Sequence, residues 1–441
     1  MSLPYLIFSD EKGKVYHHPY LRMMASSLDK WALPCENELI RLPKGSSLFY
    51  LPGRLAVGFN LKTKAVEILE YFRGKKVFAA AAFPVPAYLR LYNPASIVKE
   101  KKILPLWAYT ACGFYSGDFY ITAARVDSRV RQSPRFYNKT EIEKKVNPVR
   151  NKSSKMSAAP AARISNGVKS FFSQYPANRL YKHLANCALN YNCLAAKNLF
   201  LQRWEAPLPT ARTCNARCIG CLSLQGSGCD SSHQRINFKP DAGEIAKVAV
   251  NHLKKAKQAI VSFGQGCEGE PLLEADVIAD SIYKIRQETS RGTINMNTNA
   301  SIPKKIKKLC QAGIDSFRVS LNSPEEKFYN IYFRPRNYKF KDVLKSIEIA
   351  KQFNKFVSIN LFVFPGFSDS ASQVKSLIKF VKSTGVDMIQ WRNLNIDSEY
   401  YLKMIYNKEL KPQGVLTLLE TVKNQFPRLK TGYFNLPKES F

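Results

Sequence analysis

The chain has 441 residues, 45% hydrophobic and 23% charged, with 67 Lys and Arg against 34 Asp and Glu, a formal charge of +33. This composition excludes a disordered or fibrous chain and leaves room for two domains, each with its own core. The charge favours polyanionic partners, nucleic acid first, although a basic bias also arises with no partner at all.

The opening, MSLPYLIFSDEKGK, has no basic stretch followed by an apolar one, so no signal peptide is expected. The longest apolar run, VFAAAAFPVPAYL at 77–89, is 13 residues with two prolines, short of the about 20 that a membrane span needs. A cytoplasmic protein is therefore expected. Residues 48–60, LFYLPGRLAVGFN, and 106–127, LWAYTACGFYSGDFYITAARVD, read as strands broken by Pro-Gly and by Ser-Gly-Asp, the latter a hairpin. No glycine-rich nucleotide fingerprint and no DxHxxG of cobalamin-binding domains occurs here. A mixed α/β domain is expected over 1–140, its role undisclosed.

From Ser128 to Arg203 there are 15 Lys and Arg but only two acids, Glu141 and Glu143. Within this span 147–170 is rich in Ser, Asn, Ala and Arg, poor in large apolar residues and without sustained periodicity. The expectation for 141–203 is a basic linker or insertion and lead-in segment, solvated rather than bound to RNA.

After residue 204 β-rich runs at 259–264, 293–299, 316–322, 356–364 and 387–394 alternate with helical runs at 244–258, 275–287 and 370–384. With a strand before Cys214 this makes six βα units, which predicts a parallel sheet curled into a partial (β/α)6 TIM-type barrel over 204–400. Residues 401–441 are expected to be a C-terminal extension of helix and strand. Chemistry in such barrels sits at the C-terminal ends of the strands.

Ten cysteines lie at 35, 112, 187, 193, 214, 218, 221, 229, 267 and 310. In a reducing compartment clustered cysteines are metal ligands or redox groups before they are disulfides. CNARCIGC at 214–221 follows EAPLPTART and so lies just past the first barrel strand. Its Cys-x3-Cys-x2-Cys offers three thiolates, whereas structural zinc and [4Fe–4S] centres prefer four. Three leave one iron open to bind another molecule. The competing reading is a zinc site in which Cys229 or His233 completes the set.

The spacing and its position resemble the radical S-adenosylmethionine (radical SAM) superfamily. The resemblance implies that Cys214, Cys218 and Cys221 hold a [4Fe–4S] cluster whose fourth iron is chelated by S-adenosylmethionine. One electron then cleaves the cofactor to a 5′-deoxyadenosyl radical that abstracts hydrogen from a substrate. Later strands carry matching elements. Gly269-Glu270-Pro271 resembles the Gly-Gly-Glu element that meets the cofactor's amino group, with Glu268 in place of its first glycine. Thr298 and Asn299 of NTNA end the third strand. Arg318 and Ser320 alternate onto one side of the fourth and correspond to groups used against carboxylate and ribose. Asn360 of SIN and Arg392 of WRNLN fit the fifth and sixth strands. One departure is Gly220, where relatives commonly place an aromatic residue near the adenine.

Cys187, Cys193, Cys229 and Cys267 could supply four thiolates to a second, auxiliary Fe–S cluster. Cys35, Cys112 and Cys310 read as core residues. The five histidines show no metal pairing or nucleophile partner, which argues against serine or zinc-water hydrolysis, and His252 reads as structural. No cysteine follows Cys310, which argues against the cysteine-rich extension of peptide-modifying relatives and against a close match to the molybdenum-cofactor cyclase. The expected function is a radical SAM enzyme acting on a small molecule, peptide or RNA, reduced by a partner such as flavodoxin or ferredoxin. Its alternative is a non-catalytic Fe–S or zinc module that binds nucleic acid through the basic segment.

Overall fold

The computed structural model describes residues 3–129, 159–224, 233, 235–406 and 408–441, with backbone only for 159–162. The first part is mostly sheet. Its central strand Tyr5–Ser9 pairs antiparallel with Val15–Met23, Phe78–Phe83 and Cys112–Tyr115. Cys112–Tyr115 turns back into Asp118–Arg125 through Ser116 and Gly117, the hairpin that Ser-Gly-Asp predicted. The helical content expected here reduces to one 3-10 turn, Glu36–Glu38, among the described residues 3–129. The physical reason is composition: alternating β-branched and aromatic residues between closely spaced turns leave no stretch long enough for a helix.

Residues 141–158 of the segment read as a linker lie outside the described residues. The remainder is helical: α1 (Ala159–Gln174), α2 (Arg179–Leu189) and α3 (Leu194–Phe200). Ile164, Val168 and Phe171 recur at helical spacing and are buried in the main core, Phe171 with its ring 4.8 Å from Tyr181 and 5.6 Å from Phe200. Three apolar residues spaced four and three apart were too sparse among Ser, Asn and Ala to register as a period.

The second part holds seven parallel strands in sequential order: β1 (Glu205–Pro207), β2 (Ile260–Phe263), β3 (Thr293–Thr298), β4 (Ser316–Leu321), β5 (Phe356–Val363), β6 (Met388–Asn393) and β7 (Lys430–Gly432). Every pairing from β1 to β7 is parallel. The first six are the strands that the apolar runs predicted, and the sheet curls into a half-barrel. Residues after 400 add α10 (Ser398–Ile405), α11 (Val415–Gln425) and the seventh strand.

The outer helices are α4 (Ala242–Lys255), α5 (Ala275–Glu288), α6 (Pro303–Ala312), α7 (Glu326–Phe333), α8 (Phe340–Gln352) and α9 (Ala371–Thr384). Their ends rest on local chemistry. Asp241 caps α4 by accepting from Glu244 N at 2.8 Å, and the Glu244 carboxylate accepts from Asp241 N at 3.1 Å, a reciprocal box. α6 stops at Gly313, whose φ of 100° suits a residue without Cβ.

The two parts share one interface. Arg54 of the sheet domain reaches Asp397 at the start of α10 at 2.8 Å, with both side chains at most 4% exposed. Arg90 donates from its backbone to Asn393 and from its guanidinium to the Leu394 carbonyl. Leu89, Leu91 and Leu106 belong to the same apolar cluster as the barrel strands. Among the described residues no helix is long and apolar enough to cross a membrane.

Candidate functional site

The loop that carries the three cysteines leaves β1 and crosses the barrel mouth. It is held against the end of α7 by backbone bonds from Arg217 N to Phe333 O at 2.9 Å and from Ile219 N to Tyr332 O at 3.0 Å. Arg336 N closes the other side on Asn215 O at 2.8 Å. Cys214, Cys218 and Cys221 thus stand half-buried at the C-terminal end of the strands. Burial, the neighbouring thiols and Glu270 push the Cys214 thiol up to about 11, and the same causes push Cys218 well up. Buried thiols held in the neutral form in this way, as Cys214 and Cys218 are, belong to a donor set that a cation would relieve.

Their spread says what kind. Among the described residues one set of three ligand atoms lies within 4.8 Å of one another, and it is elsewhere. The loop thiols stand wider apart than the ligands of a single ion, as thiolates on separate irons of a cluster do. Of the residues offered to complete a zinc site, His233 donates from its backbone to Leu222 O at 3.1 Å and has its ring beside Gly266, and Cys229 lies outside the described residues.

The loop after β2 runs beside the cysteine loop almost as a strand pair, with Gly269 N on Ala211 O at 2.7 Å and Glu270 N on Thr213 O at 2.9 Å. A Cβ on residue 269 would stand 1.9 Å from Thr213 O, so only glycine fits. The departure at Glu268 has a structural use. Its buried carboxylate accepts from Thr210 N at 2.8 Å, Ala211 N at 2.9 Å and Gly264 N, tying β1's exit to β2's. Glu270 does the same for β3. Oε1 accepts from Leu272 N at 3.1 Å and from the Thr298 hydroxyl, and Oε2 accepts from Asn299 N at 2.8 Å. One lone-pair position on Oε2 stays available for a further donor. Burial pushes both carboxyls up to about 7, against those hydrogen bonds. Asn299 also donates to Asn215, between the first two cysteines, at 2.8 Å.

Inside the barrel the register sets Asn297, Arg318 and Ser358 side by side, and Ser320, Asn360 and Gln390 one layer further on. Arg318 is 9% exposed and donates to Gln390 Oε1 at 3.3 Å, while its Nε finds no partner. Asn360 Oδ1 is likewise unpaired. No carboxylate pairs with Arg318 among the described residues, and burial together with Arg392 lowers its pKa to about 9. A buried guanidinium in that state is expensive unless an anion joins it. Arg392 lies with its guanidinium 4.0 Å from the Tyr433 ring and donates to Tyr433 O at 3.0 Å. Pro271 opens the short turn that follows Glu270, and Ser320 is half-buried on the inner face of β4.

Two residues at the site carried no signal in the sequence. Tyr332 of α7 puts its hydroxyl 2.8 Å from where a Cβ of residue 220 would be, so an aromatic from another element fills the space beside Gly220. Arg235 donates to Cys221 Sγ at 3.5 Å and to Ser223 Oγ at 2.9 Å, a cation beside the third thiol. Nothing in the local sequence of either one marks it.

The other cysteines separate by place. Cys187 and Cys267 are buried together with His183, and Cys193 caps α3 beside them. Cys112 and Cys310 are buried as expected, whereas Cys35 is exposed. Cys35 precedes the turn Glu36–Glu38 at the domain surface, where its backbone N–H donates to Glu38 at 2.8 Å. His252 is fully buried with Nε2 at 2.9 Å from Trp204 O, a structural role.

Residues 208–381 match the Radical SAM superfamily. A GTP 3′,8-cyclase of Limosilactobacillus fermentum is 25% identical over 177 residues, 40% of this chain and 49% of that protein. A GTP 3′,8-cyclase of Thermodesulfovibrio yellowstonii is 28% identical over 206 residues, 44% of this chain and 61% of its own length. The chain thus spans about half to three fifths of the curated relatives it matches. Among solved structures, anSMEcpe with bound AdoMet aligns with a TM-score of 0.39 at 19% identity, over 52% of this chain and 64% of that one. Streptococcus suis SuiB bound to S-adenosylmethionine aligns at 0.39 and 14% identity, over 60% and 62%. Scores this low carry no further weight. Proteins of the matched superfamily bind a [4Fe–4S] cluster and S-adenosylmethionine.

Proposed function

With residues 208–381 forming a radical SAM domain, we propose that this chain is a radical SAM enzyme and that Cys214, Cys218 and Cys221 hold its [4Fe–4S] cluster. The observation that carries the reading is the thiol triad itself: three cysteines at the strand ends, spread beyond the reach of one ion, with a cationic Arg235 at 3.5 Å. When bound, the cluster supplies the electron that cleaves S-adenosylmethionine and so the radical that abstracts hydrogen.

The chain's own residues bind and orient. Gly269 lets two backbone segments close on each other beside the cluster loop. Glu270, held by Thr298 and Asn299, keeps one acceptor position on Oε2 for an amino group, and Pro271 fixes the turn behind it. Arg318 offers an unpaired Nε–H to a carboxylate, with Ser320 and Asn360 along the same face for ribose and base, and Arg392 toward the substrate side. Tyr332 excludes water from behind the third cysteine.

Anaerobic reconstitution followed by dithionite and S-adenosylmethionine is expected to release 5′-deoxyadenosine, and Cys218→Ala is expected to abolish that release. A fully reconstituted cluster that neither binds nor cleaves S-adenosylmethionine would leave the non-catalytic module as the surviving reading. The substrate class stays open between small molecule, peptide and RNA. GTP belongs in the assay because two relatives are GTP cyclases, although no cysteine follows Cys310 in this chain. RNA affinity measured against salt concentration tests the basic charge separately. The reductant is of the flavodoxin or ferredoxin kind, in the cytoplasm.

A further inference from the structure

α2 carries His183 and Cys187 four residues apart, hence on one face a turn apart. The loop after β2 brings Cys267 to the same place. The ligand atoms of these three residues all lie within 4.8 Å of one another, and His183 Nε2 is 3.6 Å from Cys187 Sγ. All three side chains are buried, Cys187 and Cys267 at 2% exposure. Cys193 stands alongside, its backbone N–H donating to Cys187 O at 2.9 Å, but its thiol is outside the set of ligand atoms that lie within 4.8 Å of one another.

We propose that His183, Cys187 and Cys267 form a second metal centre, separate from the cysteine loop, that holds one zinc ion with water in the fourth position. A tetrahedral zinc with Zn–S of about 2.3 Å and Zn–N of about 2.0–2.1 Å sets a sulfur and a nitrogen ligand about 3.6 Å apart, the separation found here. Soft thiolates with one imidazole select zinc over hard cations. The compactness argues against a four-iron cluster here, because each of its thiolates binds a different iron and the set spreads. Buried cysteines also serve as plain apolar residues, but that role does not require three soft donors from two separated segments to converge on one point.

The ion has a mechanical use. α2 belongs to the helices ahead of the barrel, whereas Cys267 directly precedes Glu268, Gly269 and Glu270. A zinc between them clamps the loop that carries the cofactor-facing glutamate to a helix outside the sheet. This use rests on the radical SAM reading of that loop, while the site itself does not.

The test removes the first site. The full chain with Cys214, Cys218 and Cys221 all changed to Ser is purified without chelator, and its metal is counted by mass spectrometry. One zinc per chain is expected, and further change of His183→Ala or Cys267→Ser should lose it. Replacement by Co(II) should give the absorption of a tetrahedral thiolate site. His183→Cys, which preserves the number of protein ligands, should keep the ion and strengthen the thiolate-to-cobalt band, so the proposal stays testable if the alanine variant fails to fold. Three results overturn it: no stoichiometric metal in the triple variant, a Cys187–Cys267 disulfide in its place, or iron and acid-labile sulfide together. Failure of S-adenosylmethionine cleavage in the unmodified protein would leave this result untouched.

Discussion

Gly220 and Tyr332 form a pair that only the folded chain brings together. A side chain at 220 would begin 2.8 Å from the Tyr332 hydroxyl and 3.3 Å from Asn395 O. Gly220→Ala should therefore destabilise by about 1 kcal/mol through overpacking. Tyr332→Phe removes the obstructing oxygen, so the double variant should recover most of that loss. A denaturant-unfolding double-mutant cycle measures this, and simple additivity of the two changes would refute the pairing. The three cysteines stood out from spacing, because a loop of thiolates past a strand is a local pattern, whereas Glu270 was singled out only through the resemblance. Arg235, which touches Cys221, was legible in neither way, because its pattern exists only across the fold.

At the scale of elements, α4 is pinned to β1 through His252. Its Nε2–H donates to Trp204 O at 2.9 Å, and burial lowers the imidazole pKa from 6.5 to about 4. The unfolded chain takes up this proton below about 6.5 and the folded chain only near about 4, so the protein should lose stability as pH falls through that window. Thermal unfolding followed from pH 7 to pH 4 is expected to show the decline. His252→Gln should flatten it while lowering stability at pH 7, and an unchanged slope would assign the acid sensitivity to other groups. The barrel strands were readable one by one as short β-rich runs between helical ones, TINMNT and SFRVSL by their alternation of apolar and polar residues. Helix α1 was not, because Ile164, Val168 and Phe171 gain meaning only from the core they join, where Phe171 meets Tyr181 and Phe200.

For the whole molecule, the join between sheet domain and half-barrel concentrates on Asp397. Its carboxylate accepts from Arg54 at 2.8 Å and Leu104 N at 2.8 Å across the interface, and from Glu399 N at 3.0 Å within α10. Asp397→Ala leaves the Arg54 guanidinium buried without its partner, at a cost of about 3 kcal/mol. Unfolding that is cooperative in the parent should separate into two transitions in the variant, read by denaturant titration with two probes. A single transition with little loss would mean that the shared apolar cluster alone unites the parts. By itself the sequence determined the order of the first six barrel strands and put the cysteine loop just past the first of them, because these follow from local periodicity and spacing. Only the tertiary structure decided that Glu268 ties two strand exits together, that Arg318 is buried with no ion pair among the described residues, and that His183, Cys187 and Cys267 converge. Those facts depend on which distant segments meet, and contact between segments far apart in the chain leaves no mark in the local pattern of either one.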